Sequence, residues 1–254
     1  MQIGRLCVAL AIAASAVAVT APAGAHTFDV KQLDVTEGSL ELGLDNTAHP
    51  HLPPDANRSA HDVSLDWGAH RWLKLSAVLK LENPRDDDFR LAKTAAESLL
   101  VLKPIDLERS HDIGLGWFGA IEASLHPDTT NSLVFGPIVT LAAGKLSFTA
   151  NPFFAKTFGR NRVEGVALDY GWNARYELRE GFAVGVEAYG TVDNLGDPPP
   201  WSKQEHRVGP AIFTEIELAK DFKITPDIGV FYGLTPATPH VAIKLNVGIP
   251  LSRR

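Results

Sequence analysis

The chain has 254 residues, 45% of them hydrophobic and 21% charged, with a formal net charge of −6 and a mean hydropathy of −0.02. That length and apolar content suffice for one ordered domain, and the acidic balance excludes nucleic-acid binding, which needs a basic face. Beyond the amino-terminal stretch no run approaches the roughly 20 apolar residues of a spanning helix, so helical membrane spans are excluded.

The amino terminus reads as an export signal. Arg5 supplies the positive region, Val8 to Val19 the apolar one, and Ala23-Gly24-Ala25 a small-residue cleavage site, which predicts a signal peptide over 1–25 and a mature domain over 26–254 beginning at His26. Cys7, the single cysteine, lies inside that signal, so the exported chain has no disulfide and is not a small stapled secreted domain. Removing Arg5 leaves the mature charge at −7.

Turn signals then divide the chain into twelve segments of alternating polarity, each close to the roughly 9–11 residues of a membrane strand. Their expected spans are 34–46, 60–68, 72–82, 90–102, 113–125, 132–142, 146–157, 165–178, 182–192, 206–218, 222–234 and 240–251. In the eighth, Val166, Leu168, Tyr170, Trp172, Ala174, Tyr176 and Leu178 form one apolar face, and Asp169, Asn173, Arg175 and Glu177 lie on the other. Leu73 to Leu81, Ile113 to Leu125 and Val241 to Leu251 alternate in the same way. Connections after even-numbered segments are mostly tight, such as Ala143-Gly144-Lys145 and Arg179-Glu180-Gly181, and those after odd-numbered ones are longer and rich in proline, glycine and charge. The exception is the long polar connection Lys103 to Asp112.

An aromatic outer face, a charged inner face and short turns opposite long loops predict an all-β, antiparallel, up-and-down transmembrane β-barrel of about twelve strands. A soluble sandwich also alternates; the export signal, the loop asymmetry and the outward aromatics favour the barrel. Two features work against a simple ladder. Pro137, Pro152, Pro210, Pro226 and Pro250 fall in or near strands and cannot donate a rung. Leu91, Ala92, Ala95, Ala96, Leu99 and Leu100 fit a helical stripe as well as a strand, and a strand is expected because a helix would leave an odd count.

Gly185-Val-Glu-Ala-Tyr-Gly190, Gln204-Glu-His-Arg-Val-Gly-Pro210 and Gly229-Val-Phe-Tyr-Gly-Leu-Thr235, with the export signal and the strand–loop alternation, resemble proteobacterial outer-membrane proteins. They are similar in style to the porin-like barrels of the phenol-degradation MetA-pathway type. The resemblance covers most of the mature chain and implies a Gram-negative outer-membrane location, with no catalytic residue. The chain departs from the pattern at its end, where Leu251-Ser-Arg-Arg254 stands in place of the terminal aromatic residue that the assembly machinery reads.

The inward register nominates Glu41, Asp66, Lys74, Glu122, Asp169, Arg175, Glu187, Arg207, Glu215 and Lys244 as lumen-facing residues. They suit a charged conduit, or equally a water-filled lumen whose ion pairs keep the wall rigid. His49, His51, Asp55 and His61 have the chemistry of a zinc or copper site, but on a proline-rich loop without fixed spacing the expectation is no metal and no cofactor. Ser124 and His126, two apart on one strand, are too far separated for a direct nucleophile–base bond, and no Gly-x-Ser-x-Gly elbow is present. Trp67, Trp72, Trp117, Trp172, Tyr170, Tyr176 and Phe182 read as an interfacial girdle. The resulting expectation is a small porin-like channel or passive transport protein surrounded by outer-membrane lipid and passing small solutes or ions. A non-conducting structural or binding barrel and, third, a lipid-modifying enzyme are the alternatives.

Overall fold

The computed structural model describes residues 27–51, 58–84, 88–106, 110–127, 129–219 and 222–251. The expected signal peptide, Asp55 of the histidine loop and the last three residues lie outside these. Twelve strands form the wall: β1 Leu40–His51, β2 Ser59–His70, β3 Leu73–Asn83, β4 Arg90–Lys103, β5 His111–Ser124, β6 Asn131–Ala143, β7 Leu146–Phe158, β8 Ala167–Arg179 and β9 Phe182–Val192. Next comes β10, Glu205–Thr214 continued by Ile216–Ala219, then β11 Phe222–Gly233 and β12 Val241–Pro250. Each strand pairs antiparallel with the next. The ring closes where β1 meets β12, from Glu41↔Pro250 to His51↔Val241. No edge is left open, which is how a barrel satisfies its backbone in an apolar solvent.

The break in β10 falls at Glu215, whose N–H donates to the Gly181 carbonyl in the neighbouring turn (2.8 Å). The segment with the helical stripe is β4, paired on both sides. Its ambiguity is resolved by the ladder: neighbours on each side supply backbone partners that an isolated helix would not need.

The prolines are accommodated by register. Pro137 lies opposite Pro152, in a gap of the β6–β7 ladder between Phe135↔Phe154 and Val139↔Ala150, so the two residues without donors share one interruption of the ladder instead of making two. Pro210 occupies a similar gap between β10 and β11, flanked by Val208↔Tyr232 and Ala211↔Gly229. Pro250 ends β12.

The outer surface is apolar. Trp67, Trp72, Trp117, Leu79, Ile121 and Tyr176 are each more than two-fifths exposed. Aromatic rings meet around the wall, Trp117 stacked with Phe135, and Phe135 with Phe154 and Phe148 with Trp172 at tilted angles. Exposure of so much contiguous apolar surface is unfavourable in water and suited to lipid.

The first expected strand, 34–46, is displaced: β1 begins at Leu40, and residues 27–36 belong to no strand. A turn at Glu37–Gly38 separates the two, with Gly38 at φ +77°, a conformation that favours glycine. Ahead of that turn the chain runs extended through the interior of the barrel. Thr27 bonds to Asp62 and the Phe28 N–H to Thr47, in the half nearer the long loops, whereas Gly38 and Thr36 adjoin Gly68 near the short turns. Phe28 and Val30 pack with Tyr189, Phe231 and Ala242. Leu33 packs with Leu99, Phe118, Ala120 and Ile138. The barrel therefore has an apolar interior core, built on its own amino-terminal segment.

Candidate functional site

The lumen holds the polar groups, sorted by the period of two that sends alternate side chains inward. Its most enclosed cluster joins three strands. Lys244 on β12 places Nζ 2.6 Å from Glu187 on β9 and 2.7 Å from Asp227 on β11, and donates to the Tyr189 hydroxyl (3.2 Å). Tyr189 in turn donates to Glu187 (3.0 Å). Lys244 and Glu187 have no exposed side-chain surface. Two carboxylates and one ammonium at this depth tie non-adjacent strands across the interior, and each charge is tolerable only because the others are present.

A second cluster lies toward the long loops. Glu122 on β5 receives Lys80 and Lys93, each at 2.9 Å, and the Ser132 hydroxyl at 2.6 Å; Lys80 also lies 3.5 Å from Asp62. Arg207 pairs with Glu205 at 2.6 Å, contacts the His49 ring at 3.2 Å, and sits 4.5 Å over the face of Phe28. Asp169 accepts from Thr191 at 2.8 Å.

Nearer the short turns, Asp66 accepts from Ser64 at 3.1 Å and lies across from Glu41 in the β1–β2 register. Lys74 is 3.9 Å from Asp34 of the lumenal segment. Arg175 stacks 3.8 Å over Phe213. With its amide oriented to accept, Asn173 takes bonds from Arg175 (2.9 Å) and from Gln32 of the segment (3.2 Å). Glu215 pairs with Lys223 at the rim, both well exposed. Of the ten nominated residues, the wall brings Glu187 together with Lys244, and Glu41 opposite Asp66. The others lie at separate levels, and Glu215 sits at the mouth.

The lumenal segment supplies groups from residues 27–33 that the sequence reading placed in no strand; only 34–36 fell within the first expected span. Lys31 lies 3.0 Å from Asp29 and 3.3 Å from Glu97, and its carbonyl accepts from Asn151 (3.2 Å). A signal for this segment was present in β5, whose inward residues Gly114, Gly116, Phe118 and Ala120 are apolar or bare. A Cβ at Gly114 would approach Leu33 Cδ1 to 2.7 Å, and one at Gly116 would collide with the same side chain. Those glycines make the room that Leu33 fills.

Neither weighed alternative gains geometry. His49 points inward to Arg207, whereas His61 bonds to Asn46 and Ser59 and meets the Phe89 ring; in β2 it alternates with inward Asp62 and so lies on the outer face. Two imidazoles on opposite faces cannot share a metal, and no group of potential ligands converges among the described residues. Ser124 donates to the His126 carbonyl (2.8 Å), while the His126 ring faces Arg90 (3.1 Å). They border a depression of about 310 Å³ with Thr129, Asn131 and Arg160, but the serine is held by the loop backbone and not by a base. His206 bonds to the Tyr170 hydroxyl (2.7 Å) and stacks under Trp201 (ring centroids 4.0 Å), part of the aromatic outer surface at the long-loop end.

No protein-family model matches the chain, and no curated protein matches it either. Solved structures do. The COG4313 outer membrane channel from Pseudomonas putida F1 superposes with a TM-score of 0.59 at 10% identity, over 88% of this chain and 99% of the other. The KdgM porin in complex with disordered oligogalacturonate gives 0.52 at 11% identity, over 83% and 98%. The NanC porin gives 0.50 at 12%, over 83% and 98%. The chain shares the barrel fold of these outer-membrane channels along nearly their whole length, and each is described as a porin or channel, not as an enzyme.

Proposed function

We propose that the chain is a porin-like channel of the Gram-negative outer membrane, a passive route for small solutes or ions. The observation that carries this reading is the closed twelve-strand wall with aromatic and aliphatic groups outside and paired charges inside. Such a wall is stable only with lipid around it, and an interior of fixed charges is what a permeating ion or polar solute meets in place of its hydration shell. Within porin-like barrels, the MetA-pathway type is the group the sequence motifs favour.

On this reading the signal over 1–25 is removed during export and the assembly machinery inserts the domain 26–254. Glu41, Asp66, Lys74, Glu122, Asp169, Arg175, Glu187, Arg207 and Lys244 line the route, with Glu215 at its periplasmic mouth. A barrel of this size falls between about eight strands, where side chains fill the interior, and sixteen or more, where an aqueous pore is open. What the interior contains therefore decides conduction.

The test is single-channel recording in planar bilayers with the purified protein. Discrete conductance steps are expected. Their absence both from the intact protein and from a variant trimmed of residues 27–36 would favour a non-conducting barrel. Terminal sequencing of the outer-membrane fraction checks the export reading, with His26 expected first.

A further inference from the structure

We infer that residues 27–36 are a displaceable plug: the segment seals the lumen while Phe28 is seated between Tyr189 and Phe231, and conduction requires Phe28 to leave. The inference rests on the channel reading above and deepens it by naming what regulates the route.

Three observations separate a plug from a permanent core element. First, the wall is complete without the segment, since every strand of the ring has two strand neighbours. Residues 27–35 have no backbone-to-backbone bond among the described residues. Their main chain is held by wall side chains, with the Phe28 N–H donating to Thr47 and Asn246 and Asn151 donating to the Phe28 and Lys31 carbonyls. Water entering the lumen can replace each of those bonds, whereas it could not replace a ladder at no cost.

Second, the segment's apolar hold falls into two seats, Phe28 with Val30 toward the long loops and Leu33 toward the short turns. Phe28 stacks on Tyr189 (centroids 5.0 Å, 25°), meets Phe231 edge-on (5.6 Å, 79°) and lies under the Arg207 guanidinium. Phe28 anchors the end farther from the turn at Gly38, so its release is the step from which the rest of the segment, Leu33 included, can follow. Third, the covalent tether is the turn at Gly38, where a Cβ would meet nothing within 4 Å. The anchored end lies toward the long loops and the tether near the short turns, so the plug is open to challenge from the long-loop side.

The experiment combines a release and a lock. Val30 Cγ2 lies 3.5 Å from where a Cβ at position 171 would sit, close enough for a bridge between Val30→Cys and Gly171→Cys, and the processed chain has no other thiol. In planar bilayers Phe28→Ala should raise open probability at least tenfold. The oxidised double-cysteine variant should show no openings, and reduction should return it to wild-type behaviour. An oxidised variant that conducts like the reduced one overturns the proposal.

A second readout does not depend on conduction. Val30→Cys alone is modified with a bulky maleimide, with and without Phe28→Ala, and the rate should rise at least tenfold when the anchor is removed. Acceleration without conductance in any variant would sink the channel reading and keep the plug. Equal rates would mean a fixed core segment and overturn the plug, whatever the bilayer shows.

Discussion

Lys244 is the residue on which the interior depends most. Its ammonium is fully enclosed and is shared by Glu187 and Asp227, so Lys244→Met would leave the fully buried Glu187 and the mostly buried Asp227 without their shared cation. Breaking a buried pair in this way costs about 3–5 kcal/mol, because the surviving charge keeps its desolvation penalty and loses its partner. The expected outcome is a marked fall in the urea midpoint of the folded barrel in detergent, partly recovered when Glu187→Gln is added, since the second change removes one stranded charge. Glu215→Gln is the comparison. Glu215 and Lys223 sit exposed at the rim, where solvent screens an ion pair, so the midpoint should scarcely move. An equal loss at both positions would contradict the burial difference that separates them.

At the scale of the strand, one period of two governs both faces. Val184 on β9 lies outward between Ala183 and Gly185, one step out of phase with inward Glu187, and Val184→Arg near the bilayer midplane should cost roughly 2–4 kcal/mol. Ser76 on β3 faces inward, opposite Asp66 on one neighbour and Glu97 on the other, so Ser76→Arg meets two acids and should cost far less. Folding yields in lipid vesicles compare them, and equal tolerance would argue against lipid on the outer face. This same period made most of the wall legible from sequence: a strand between lipid and lumen must alternate, and Phe182–Val192 and Arg90–Lys103 lie within a residue of their expected spans. The lumenal segment was not legible, because Phe28, Val30 and Leu33 break the period of two and nominate no element, while residues 34–36 read as the start of the first wall strand. Only the turn at Gly38 and the bare inner face of β5 distinguish it, and the second is readable only once Gly114 and Gly116 are known to face inward. The lumenal residues were nominated by parity, but their partners depend on which strands are neighbours across the interior. Lys244, Glu187 and Asp227 come from three strands, and no spacing along the chain announces their meeting.

For the whole molecule the consequence is electrostatic. The lumen's cations are largely committed: Lys80 and Lys93 share Glu122, Lys244 is divided between Glu187 and Asp227, and Arg207 holds Glu205. Asp66 and Asp169 take hydroxyl hydrogen bonds from Ser64 and Thr191, and neither has an ion pair within 4 Å among the described residues. They stand toward opposite ends of the lumen, one near the short turns and one near the long loops, so a permeating ion passes both. Their fields are focused by low-dielectric walls and act over a distance set by salt, roughly 10 Å at 0.1 M and 30 Å at 0.01 M. The open channel should therefore prefer cations. Asp66→Asn with Asp169→Asn should weaken that preference, more at low salt than at high, with little loss of stability, since an amide oxygen still accepts from either hydroxyl. The measurement is the reversal potential across a bilayer under a potassium chloride gradient, taken in a background that holds the plug open. Anion preference in the parent channel, or a double variant with unchanged selectivity at low salt, would show that the committed pairs and not these two carboxylates set the field along the route.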